Sequence, residues 1–562
     1  MEHNERVKEC LKFLSDRNKD KAPTNRHLNS MFLSPTTREE VLKIIGKFQN
    51  KNSTGLDGIS PKVLKLFPNS LILCLVHIFN LSLSQGKFIS TFKKAKVIPI
   101  HKKNKKNDMN NYRPISLLPV ISKVLEKLMH TRLYSFLNSK NTFYANQFGF
   151  RPNHSTAQAG AILADKISQA LNKNMKVASV FLDMSKAFDC VDLDILLNKL
   201  YRYGIRGTAL AWFKSYLLGR TQKVFFNGFL SKNTCSMDCG VPQGSILGPL
   251  LYLIYVNDCF KCLTHGNAIF YADDTTLIFA AKTYEELYKY INYDLKCLHS
   301  WLCLNKLTVN SSKTKFMIFT GTKRAKQPSP SLKVELNGES LERVDDYKFL
   351  GLTINQHLNW KSHMLGLLSK TQRNLGVVRK IARYLNRSSL FQLYHSLIMS
   401  HIRNGIIVWH HGNKQIRKKI QACANNFLRL IFHLKPRDSV RALMKENNLL
   451  SVNQIYHLEI AKLMQKHALS DIPSPFSEIF QGPARQSEMS SRSNRTLIQA
   501  PSRTIKYEQS IRCSGPIIFN EIPSDIKYDR ELPQFQSSNR PQPYFKFVSK
   551  MKKFALSDVD FI

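Results

Sequence analysis

The chain has 562 residues, of which 43% are hydrophobic and 10% aromatic. A chain of this length is too long to fold around one hydrophobic core, so we expect several lobes. The apolar content excludes a chain that is disordered from end to end. Lys and Arg number 83 against 40 Asp and Glu, a formal net charge of +43. So strong an excess predicts a polyanionic partner, most often nucleic acid and sometimes an anionic membrane.

The sequence does not favour a membrane or an export route. The longest apolar run, Ser70–Ser84, is shorter than a bilayer span and is interrupted by His77 and Asn80. The first residues are charged and lack the apolar core of a secretory signal. The cysteine count, 11, is odd and fits a reducing compartment. We therefore expect an intracellular protein, in the nucleus, the cytoplasm or both, with no membrane partner and no zinc site.

The first predicted elements are helices. After a leader over 1–35, "TTREEVLKIIGKF" has a threonine cap and apolar residues at helical spacing. A loop rich in Gly and Ser then leads to Pro61 at a helix start, and a second apolar helical run follows it. These patterns predict a helical N-terminal extension over 36–92.

A dense group of lysines comes next. Seven lysines lie from Lys93 to Lys106 around a short strand-like run, Val97–Ile100, and the first acidic residue after them is Asp108. Such a run is compatible with an ordinary solvated loop. Its density, and Arg113 soon after it, favour a loop that handles phosphate groups.

The middle of the chain places a carboxylate at the end of a strand. "VASVFLDMSKAFD" predicts a buried strand, Val177–Leu182, that ends at Asp183. A helix is predicted after Asp192, with leucines at i, i+3, i+4 and i+7, and Gly204 is its stop signal.

A second segment, "IFYADDTTLIF", places two more carboxylates in a hairpin. It predicts strands Ala268–Tyr271 and Leu277–Phe279 joined by a turn at Asp273 and Asp274. Taken alone, an Asp-Asp pair is ordinary turn chemistry. If the two strands neighbour the first one in one sheet, the carboxylates converge, and hard cations such as Mg²⁺ prefer such oxygen ligands. Two ions about 4 Å apart can activate a hydroxyl and neutralise a leaving phosphate.

Seven blocks in order carry a resemblance to a known family. "FLDMSKAFDCVD", "GVPQGSILGPLLYLIYVND" and "YADD" are similar to the palm motifs of reverse transcriptases. "NYRPISLLPVISKVLEKL", "NQFGFRPNHST", "WLCLNKLTVNSSKTKFMIF" and "YKFLGL" are similar to the flanking blocks. The chain resembles non-LTR (LINE-type) retrotransposon reverse transcriptases of the jockey or CR1 sort, most strongly from Ser53 to Trp360.

The resemblance implies an α+β right-hand polymerase with fingers, a palm with an antiparallel sheet, a helical thumb and a C-terminal extension. It also implies an RNA-directed DNA polymerase that extends a primer 3′-hydroxyl with dNTPs, using two Mg²⁺ or Mn²⁺ ions. The implied partners are an RNA template, a DNA primer or target, and dNTPs, and the oligomeric state stays open. Two alternatives are a domesticated or decaying copy that binds RNA without polymerising, and an RNA polymerase sharing the palm.

The resemblance assigns catalytic and metal-binding roles to three aspartates. Asp183 and Asp273 would bind the metals, with Asp274 beside them. Phe188 falls where these enzymes carry the aromatic ring under the incoming sugar, which argues against an RNA polymerase. An ordinary core phenylalanine is the alternative for Phe188.

Further residues correspond to the nucleotide site. Gln243 and Gly244, in "PQGS", would pack against the nascent base pair, with the glycine allowing a close backbone approach. Arg113 would bind the triphosphate, since an arginine can contact phosphate through two hydrogen bonds. Lys102 or Lys103 would assist it.

The remaining assignments concern the leaving group and the nucleic acid. Lys313 would donate a proton to pyrophosphate or neutralise it, with a surface lysine as the alternative. Tyr347, Leu350 and Gly351 belong to "YKFLGL", which would support the primer. Arg151 would contact the template or hold the fingers.

The resemblance also divides the chain. It implies fingers and palm over 93–355, a basic helical thumb over 356–435, and a C-terminal region over 436–562. That last region contains a Ser-, Pro- and Arg-rich stretch, expected to be a flexible linker or surface loop, and a short terminal helix. Because an upstream endonuclease and a C-terminal zinc knuckle do not occur in the sequence, we expect a truncated element.

Overall fold

A computed structural model describes residues 30–102, 105–184, 187–321, 332–480, 502–527 and 542–557. Most of the predicted leader, Lys103 and most of the Ser-, Pro- and Arg-rich stretch lie outside the described residues. The strands are β1 (Lys94–His101), β2 (Tyr112–Leu117), β3 (Lys176–Leu182), β4 (Arg220–Phe226), β5 (Phe229–Leu230), β6 (Cys235–Met237), β7 (Asn267–Tyr271), β8 (Asp274–Ala281), β9 (Lys315–Phe319), β10 (Glu335–Leu336), β11 (Glu339–Ser340), β12 (Glu342–Arg343), β13 (Asp346–Phe349) and β14 (Leu352–Asn355).

Helices occupy most of the remaining described chain. Those before the palm hairpin are Arg38–Gly46, Pro61–Leu64, Asn69–Gln85, Val120–Ser139, Thr156–Asn172, Leu193–Arg202, Gly207–Leu217 and Leu247–Val256. Those after it are Tyr284–Leu304, Lys361–Ile381, Arg387–Tyr394, Ser400–Arg403, Ile406–Trp409, Lys414–Ile431, Arg441–Glu446, Val452–Ala468, Pro475–Ile479, Ile505–Glu508, Ile511–Glu521, Ser524–Lys527 and Gln542–Ser557. Short 3-10 helices are Ser90–Lys93, Met109–Asn111, Cys259–Cys262 and Ala382–Tyr384, and His395–Met399 is a π-helix.

Local signals explain several helix starts. The side chain of Thr37 accepts a hydrogen bond from the N–H of Glu40 and caps the first helix. Asp192 caps the helix Leu193–Arg202 in the same way, by accepting from Ile195. Pro61 occupies the first position of its helix. These three predicted starts are confirmed.

The palm is a five-stranded sheet in the order β12-β9-β3-β8-β7. The central strand β3 runs antiparallel to both β8 and β9. Alternate residues of β3 enter two different hydrophobic cores: Val180 lies in one, and Val177 and Phe181 lie in the other. Both faces of the sheet are therefore covered, which explains why β3 is an unbroken apolar run rather than an alternating one.

A second sheet has the order β2-β1-β4-β5, with β6 beside β4. Its strands β1 and β2 precede the palm strand β3 in the sequence, and β4, β5 and β6 lie between β3 and β7. Strand β1 pairs antiparallel with β2 and parallel with β4. Side chains alternate between two faces. Val97 and Ser116 share a buried face, whereas Lys96, Ile100 and Arg113 share a face that is open to solvent.

The described chain beyond Trp360 is helical, as predicted. The helix Lys361–Ile381 packs against Lys414–Ile431, and Val452–Ala468 packs against Ile511–Glu521 and Gln542–Ser557. The terminal helix was predicted. The stretch Pro475–Ile479 is helical although it falls in the predicted flexible linker, because Phe476 is fully buried in the core.

The α+β class predicted from the sequence is confirmed. Nowhere in the described part of the chain is a helix both long and apolar enough to cross a bilayer.

Candidate active site

The palm sheet brings the three predicted carboxylates to one end. The last register pair between β3 and β8 joins Leu182 and Thr275, so Asp183 follows opposite Asp274, the first residue of β8. Asp273 lies beside them in the hairpin turn. The carboxylates predicted to converge from distant parts of the sequence are thus neighbours.

The turn differs by one residue from the prediction. Tyr271 pairs with Asp274, which leaves Ala272 and Asp273 as the two turn residues. Ala272 has a φ of +60°, a conformation that two-residue hairpin turns need and that a residue with a Cβ disfavours. Residue preferences therefore point to Asp-Asp as the turn, whereas strand pairing shifts it toward Ala272.

The carboxylates repel one another and have a cation beside them. Lys313 Nζ lies 3.4 Å from Oδ2 of Asp183. Partial burial, with repulsion from Asp273 and Asp183, raises the pKa of Asp274 to about 6. The backbone of Asp183 is held by the loop that carries Lys313, since its carbonyl accepts from the N–H of Asn310 at 2.9 Å.

The donor set fits hard divalent cations, because it consists of carboxylate oxygens on adjoining strands. Within the described residues, no group of three or more His, Cys, Asp or Glu side chains is already closed around an ion position. Asp183 instead faces Lys313. The Lys313 ammonium therefore occupies one oxygen of Asp183 in the metal-free site.

We expect Asp274→Asn to stabilise the metal-free protein at neutral pH. The pKa of Asp274 rises from 3.8 to about 6 on folding, so the folded state holds this proton more tightly than the unfolded state. Stability is therefore lost as pH rises from about 4 through 6, and asparagine removes that loss. In EDTA, the melting temperature of the variant should exceed that of wild type at pH 7.5 and match it near pH 3.5. An exposed control, Asp238→Asn, should show no such difference, and equal melting temperatures at pH 7.5 would contradict the assignment.

Phe188 lies in a row of aromatic rings beside the aspartates. Its ring stacks on Tyr252, with centroids 4.5 Å apart, and meets Phe150 edge-on at 6.0 Å. The pKa of the Tyr252 hydroxyl is raised mainly by burial and to a smaller extent by the negative charge of Asp273. This row of rings therefore lies next to the carboxylates. Phe188 is only partly buried. Its role at the sugar stays a prediction.

Gln243 and Gly244 join the palm to the second sheet. Gln243 Nε2 donates to Oδ1 of Asp189 at 2.8 Å, which fixes the orientation of the amide. Its carbonyl accepts from the N–H of Ser116 on β2 at 2.7 Å. Gly244 has a φ of +129°, and a Cβ there would lie 2.4 Å from the Ser116 carbonyl oxygen. The close approach that requires glycine is therefore to β2, and an approach to substrate stays a prediction.

Arg113 and Lys102 lie on the second sheet. Arg113 is exposed on β2 and pairs with Ile100. Lys102 follows β1 and is exposed, while its backbone N–H donates to the Asn111 carbonyl at 2.8 Å. Both side chains are accessible to a phosphate group, and their roles stay predictions.

The hairpin predicted to support the primer is formed by β13 and β14. Leu350 and Gly351, with φ of +46° and +89°, are its two turn residues. Tyr347 stacks on Phe181 of the palm, with centroids 3.9 Å apart. The pKa of Tyr347 is raised mainly by burial and to a smaller extent by the negative charges of Asp274 and Asp183. The hairpin therefore lies close to the carboxylates. The hairpin is confirmed as an element, and its contact with a primer stays a prediction.

Arg151 is engaged within the protein. Its Nη1 donates to the carbonyl oxygens of Tyr144 at 3.0 Å and Gln147 at 3.3 Å, and its guanidinium lies 5.3 Å from the ring of Phe143. Burial lowers its pKa. These contacts favour the second of its two roles, holding the fingers, over a template contact.

Sequence reasoning missed a buried carboxylate behind the Gln243 turn. Glu126 is 0% exposed, and its Oε2 accepts from the N–H of Ile246 at 2.7 Å and of Leu247 at 3.4 Å. It thereby holds the start of the helix Leu247–Val256. Burial raises its pKa, while the charge of Arg220 opposes that rise. A lone glutamate among the apolar residues of "VISKVLEKLMH" was the available signal.

Comparison with known proteins identifies this architecture. Residues 100–354 match the family model described as reverse transcriptase (RNA-dependent DNA polymerase). This segment is a reverse transcriptase domain. The recognition of a LINE-type reverse transcriptase from the sequence is confirmed, and with it the predicted α+β fold of this segment.

Three of the similar curated proteins come from Drosophila melanogaster. The probable RNA-directed DNA polymerase from transposon BS is 31% identical over 72% of this chain and 45% of its own length. The RNA-directed DNA polymerase from mobile element jockey is 28% identical, over 74% and 46%, and the probable enzyme from transposon X-element is 28% identical, over 71% and 44%. The chain spans about half the length of these relatives. Among solved structures, apo telomerase from Candida tropicalis is 15% identical, with a TM-score of 0.38, over 68% of this chain and 64% of its own.

Proposed function

We propose that this protein is the RNA-directed DNA polymerase of a non-LTR retrotransposon, extending a primer 3′-hydroxyl with dNTPs on an RNA template. The observation that carries the proposal is the meeting of Asp183 and Asp274 across β3 and β8, with Asp273 in the adjoining turn, inside a reverse transcriptase domain. Carboxylates arranged in this way are suited to phosphoryl transfer, where positioning and charge neutralisation supply most of the catalysis.

Asp183, Asp273 and Asp274 would hold two divalent ions, Mg²⁺ or Mn²⁺. When bound, the ions would supply activation of the 3′-hydroxyl and neutralisation of the leaving pyrophosphate. Lys313, now paired with Asp183 at 3.4 Å, is free in that state to donate a proton to the leaving group or to offset its charge. In this proposal the Lys313 ammonium pairs with Asp183 before the metal ions bind and with pyrophosphate afterwards.

The residues around the carboxylates position the nucleotide. Arg113, with Lys102, binds the triphosphate from the open face of the second sheet. Phe188 lies under the sugar, next to Tyr252. Gln243 packs against the nascent base pair in the orientation that its hydrogen bond to Asp189 imposes.

The open face of the second sheet supports a nucleic-acid substrate. Lys96 on β1 and Lys223 on β4 are register partners on that face. Lys96 Nζ also lies 3.9 Å from the ring centroid of Phe225. Adjacent cations and an aromatic ring suit a phosphate backbone with stacked bases.

The test of this proposal is extension of an oligo(dT) primer on poly(rA) with dTTP and Mg²⁺, using the purified chain. We expect extension that requires the RNA template and stops in EDTA. Binding of the primed template without extension, in either Mg²⁺ or Mn²⁺, would contradict the proposal and favour a copy that only binds RNA.

Binding of an RNA–DNA duplex should weaken steeply with salt and depend little on sequence. Lysines and arginines that neutralise phosphates release counterions, whereas a polymerase reads duplex shape and backbone. In fluorescence anisotropy, Lys96→Gln with Lys223→Gln should lower the slope of log affinity against log salt by about 2. Lys445→Gln, an exposed lysine outside the reverse transcriptase domain, is the matched control. A flat salt dependence or a strong preference for one short sequence would contradict this expectation.

A further inference from the structure

We infer that Gln147 is a positioning residue that holds the aspartate-bearing turn in the conformation needed for metal binding. The inference rests on the proposed function, because it concerns the carboxylates assigned there to the metal ions. Gln147 itself is not placed in contact with substrate.

The amide of Gln147 bridges two backbone segments. Its Oε1 accepts from the N–H of Gly149 at 2.8 Å and from the N–H of Ala272 at 3.3 Å. Gln147 is only 3% exposed, so water does not compete for these hydrogen bonds. Ala272 directly precedes Asp273, so the amide fixes the peptide next to a catalytic carboxylate.

The segment that carries Gln147 is itself attached to the palm sheet. The N–H of Phe148 donates to the Phe270 carbonyl at 2.8 Å, and the N–H of Phe270 donates to the Asn146 carbonyl at 3.0 Å. These bonds form a short parallel bridge beside β7. Arg151 holds the same segment by donating to the Gln147 carbonyl. The glutamine is therefore a fixed support rather than a mobile surface side chain.

The turn needs external support because its conformation is unfavourable. Ala272 has a φ of +60°, which an alanine adopts only when the surroundings impose it. The backbone of Gly149 packs closely against the same residue, since a Cβ at Gly149 would lie 2.2 Å from the nitrogen of Ala272. One hydrogen bond and one close backbone contact thus act together on Ala272.

Loss of the side-chain amide of Gln147, with its acceptor Oε1, should let the turn relax and move Asp273 relative to Asp183 and Asp274. Residues that orient metal ligands typically contribute about 10-fold to 100-fold in metal affinity or activity. A template contact by Gln147 makes a different prediction, because it would weaken nucleic-acid binding and leave the carboxylates undisturbed.

The experiment compares full-length wild type with Gln147→Met, which keeps the volume and removes the amide. Without nucleic acid, Mn²⁺ binding measured by electron paramagnetic resonance should weaken about 10-fold, and hydrogen exchange of the peptide spanning 270–276 should become faster. With primer and template, the extension rate should fall by about 10-fold to 100-fold, while affinity for the duplex stays unchanged. Gln158→Met is the matched control, since it also replaces a buried glutamine, in the helix Thr156–Asn172.

A compensating variant separates positioning from general damage. Gln147→Met with Ala272→Gly should recover Mn²⁺ affinity, because glycine adopts a positive φ without steric cost. If Gln147→Met fails to fold, Gln147→Asn shortens the side chain by one methylene and should give the same loss in milder form. Wild-type Mn²⁺ affinity in a folded Gln147 variant overturns the inference. A wild-type protein that does not extend primers overturns the proposed function and leaves the Mn²⁺ and exchange results to decide the inference.

Discussion

Asp183→Ala and Asp273→Ala are each expected to abolish primer extension, by at least about 10³-fold, while the fold is retained. Each change removes an oxygen ligand from the two-ion arrangement, which contributes several kcal/mol to transition-state stabilisation, and each 1.36 kcal/mol is tenfold in rate. The folded state should tolerate the loss, because Asp273 and Asp183 both add to the repulsion that raises the pKa of Asp274. The measurement is single-nucleotide extension at saturating dTTP over a range of Mg²⁺ concentrations.

The control for these variants is Glu446→Gln, which removes an exposed acidic group at the end of the helix Arg441–Glu446. It should extend primers as wild type does. Circular dichroism and melting temperature establish that the two alanine variants are folded. Near-normal extension by either of them at ordinary Mg²⁺ would show that the carboxylates do not bind the catalytic ions.

Phe188→Val is expected to admit ribonucleotides and to lose some rate with deoxynucleotides. A 2′-hydroxyl would have to occupy the volume of the Phe188 ring, which is held in place by stacking on Tyr252 at 4.5 Å. In wild type, a ribonucleotide can avoid the ring only if its α-phosphate moves out of the reactive position, which lowers the rate. The smaller valine leaves room for the 2′-hydroxyl without that movement. The discrimination should change by on the order of 2–4 kcal/mol, or about 30-fold to 900-fold.

The ratio of incorporation efficiencies, dTTP over UTP, measures this change on one primed template. Phe188→Tyr is the matched variant, because it keeps the ring and should keep the discrimination. An unchanged ratio in Phe188→Val would identify Phe188 as an ordinary core residue, packed between Phe150 and Tyr252, and would place sugar selection elsewhere.

These two predictions depend on different parts of the site. The aspartates meet because β3 and β8 are hydrogen-bonded neighbours, so their arrangement is a property of the palm sheet. Phe188 follows β3 by a few residues and is held by Tyr252 from the helix Leu247–Val256. A defect confined to sugar choice would therefore leave the carboxylates intact, and the two sets of variants test the site independently.

The sequence by itself determined many of the secondary-structure elements and the family. The apolar run before Asp183, the hairpin around Asp273 and the caps Thr37 and Asp192 are local signals, because each depends on residues within a few positions of one another. The order of seven blocks then identified the family, which the comparison with known proteins confirms.

Only the tertiary structure decided what supports those residues. Gln147 and Ala272 are 125 residues apart in sequence, and Glu126 and Ile246 are 120 apart, so no local pattern connects either pair. The same holds for Gly244, whose required conformation follows from its contact with Ser116, and for the shift of the hairpin turn onto Ala272. Local preferences act over a few residues, whereas these contacts exist only once the palm sheet has brought distant segments together.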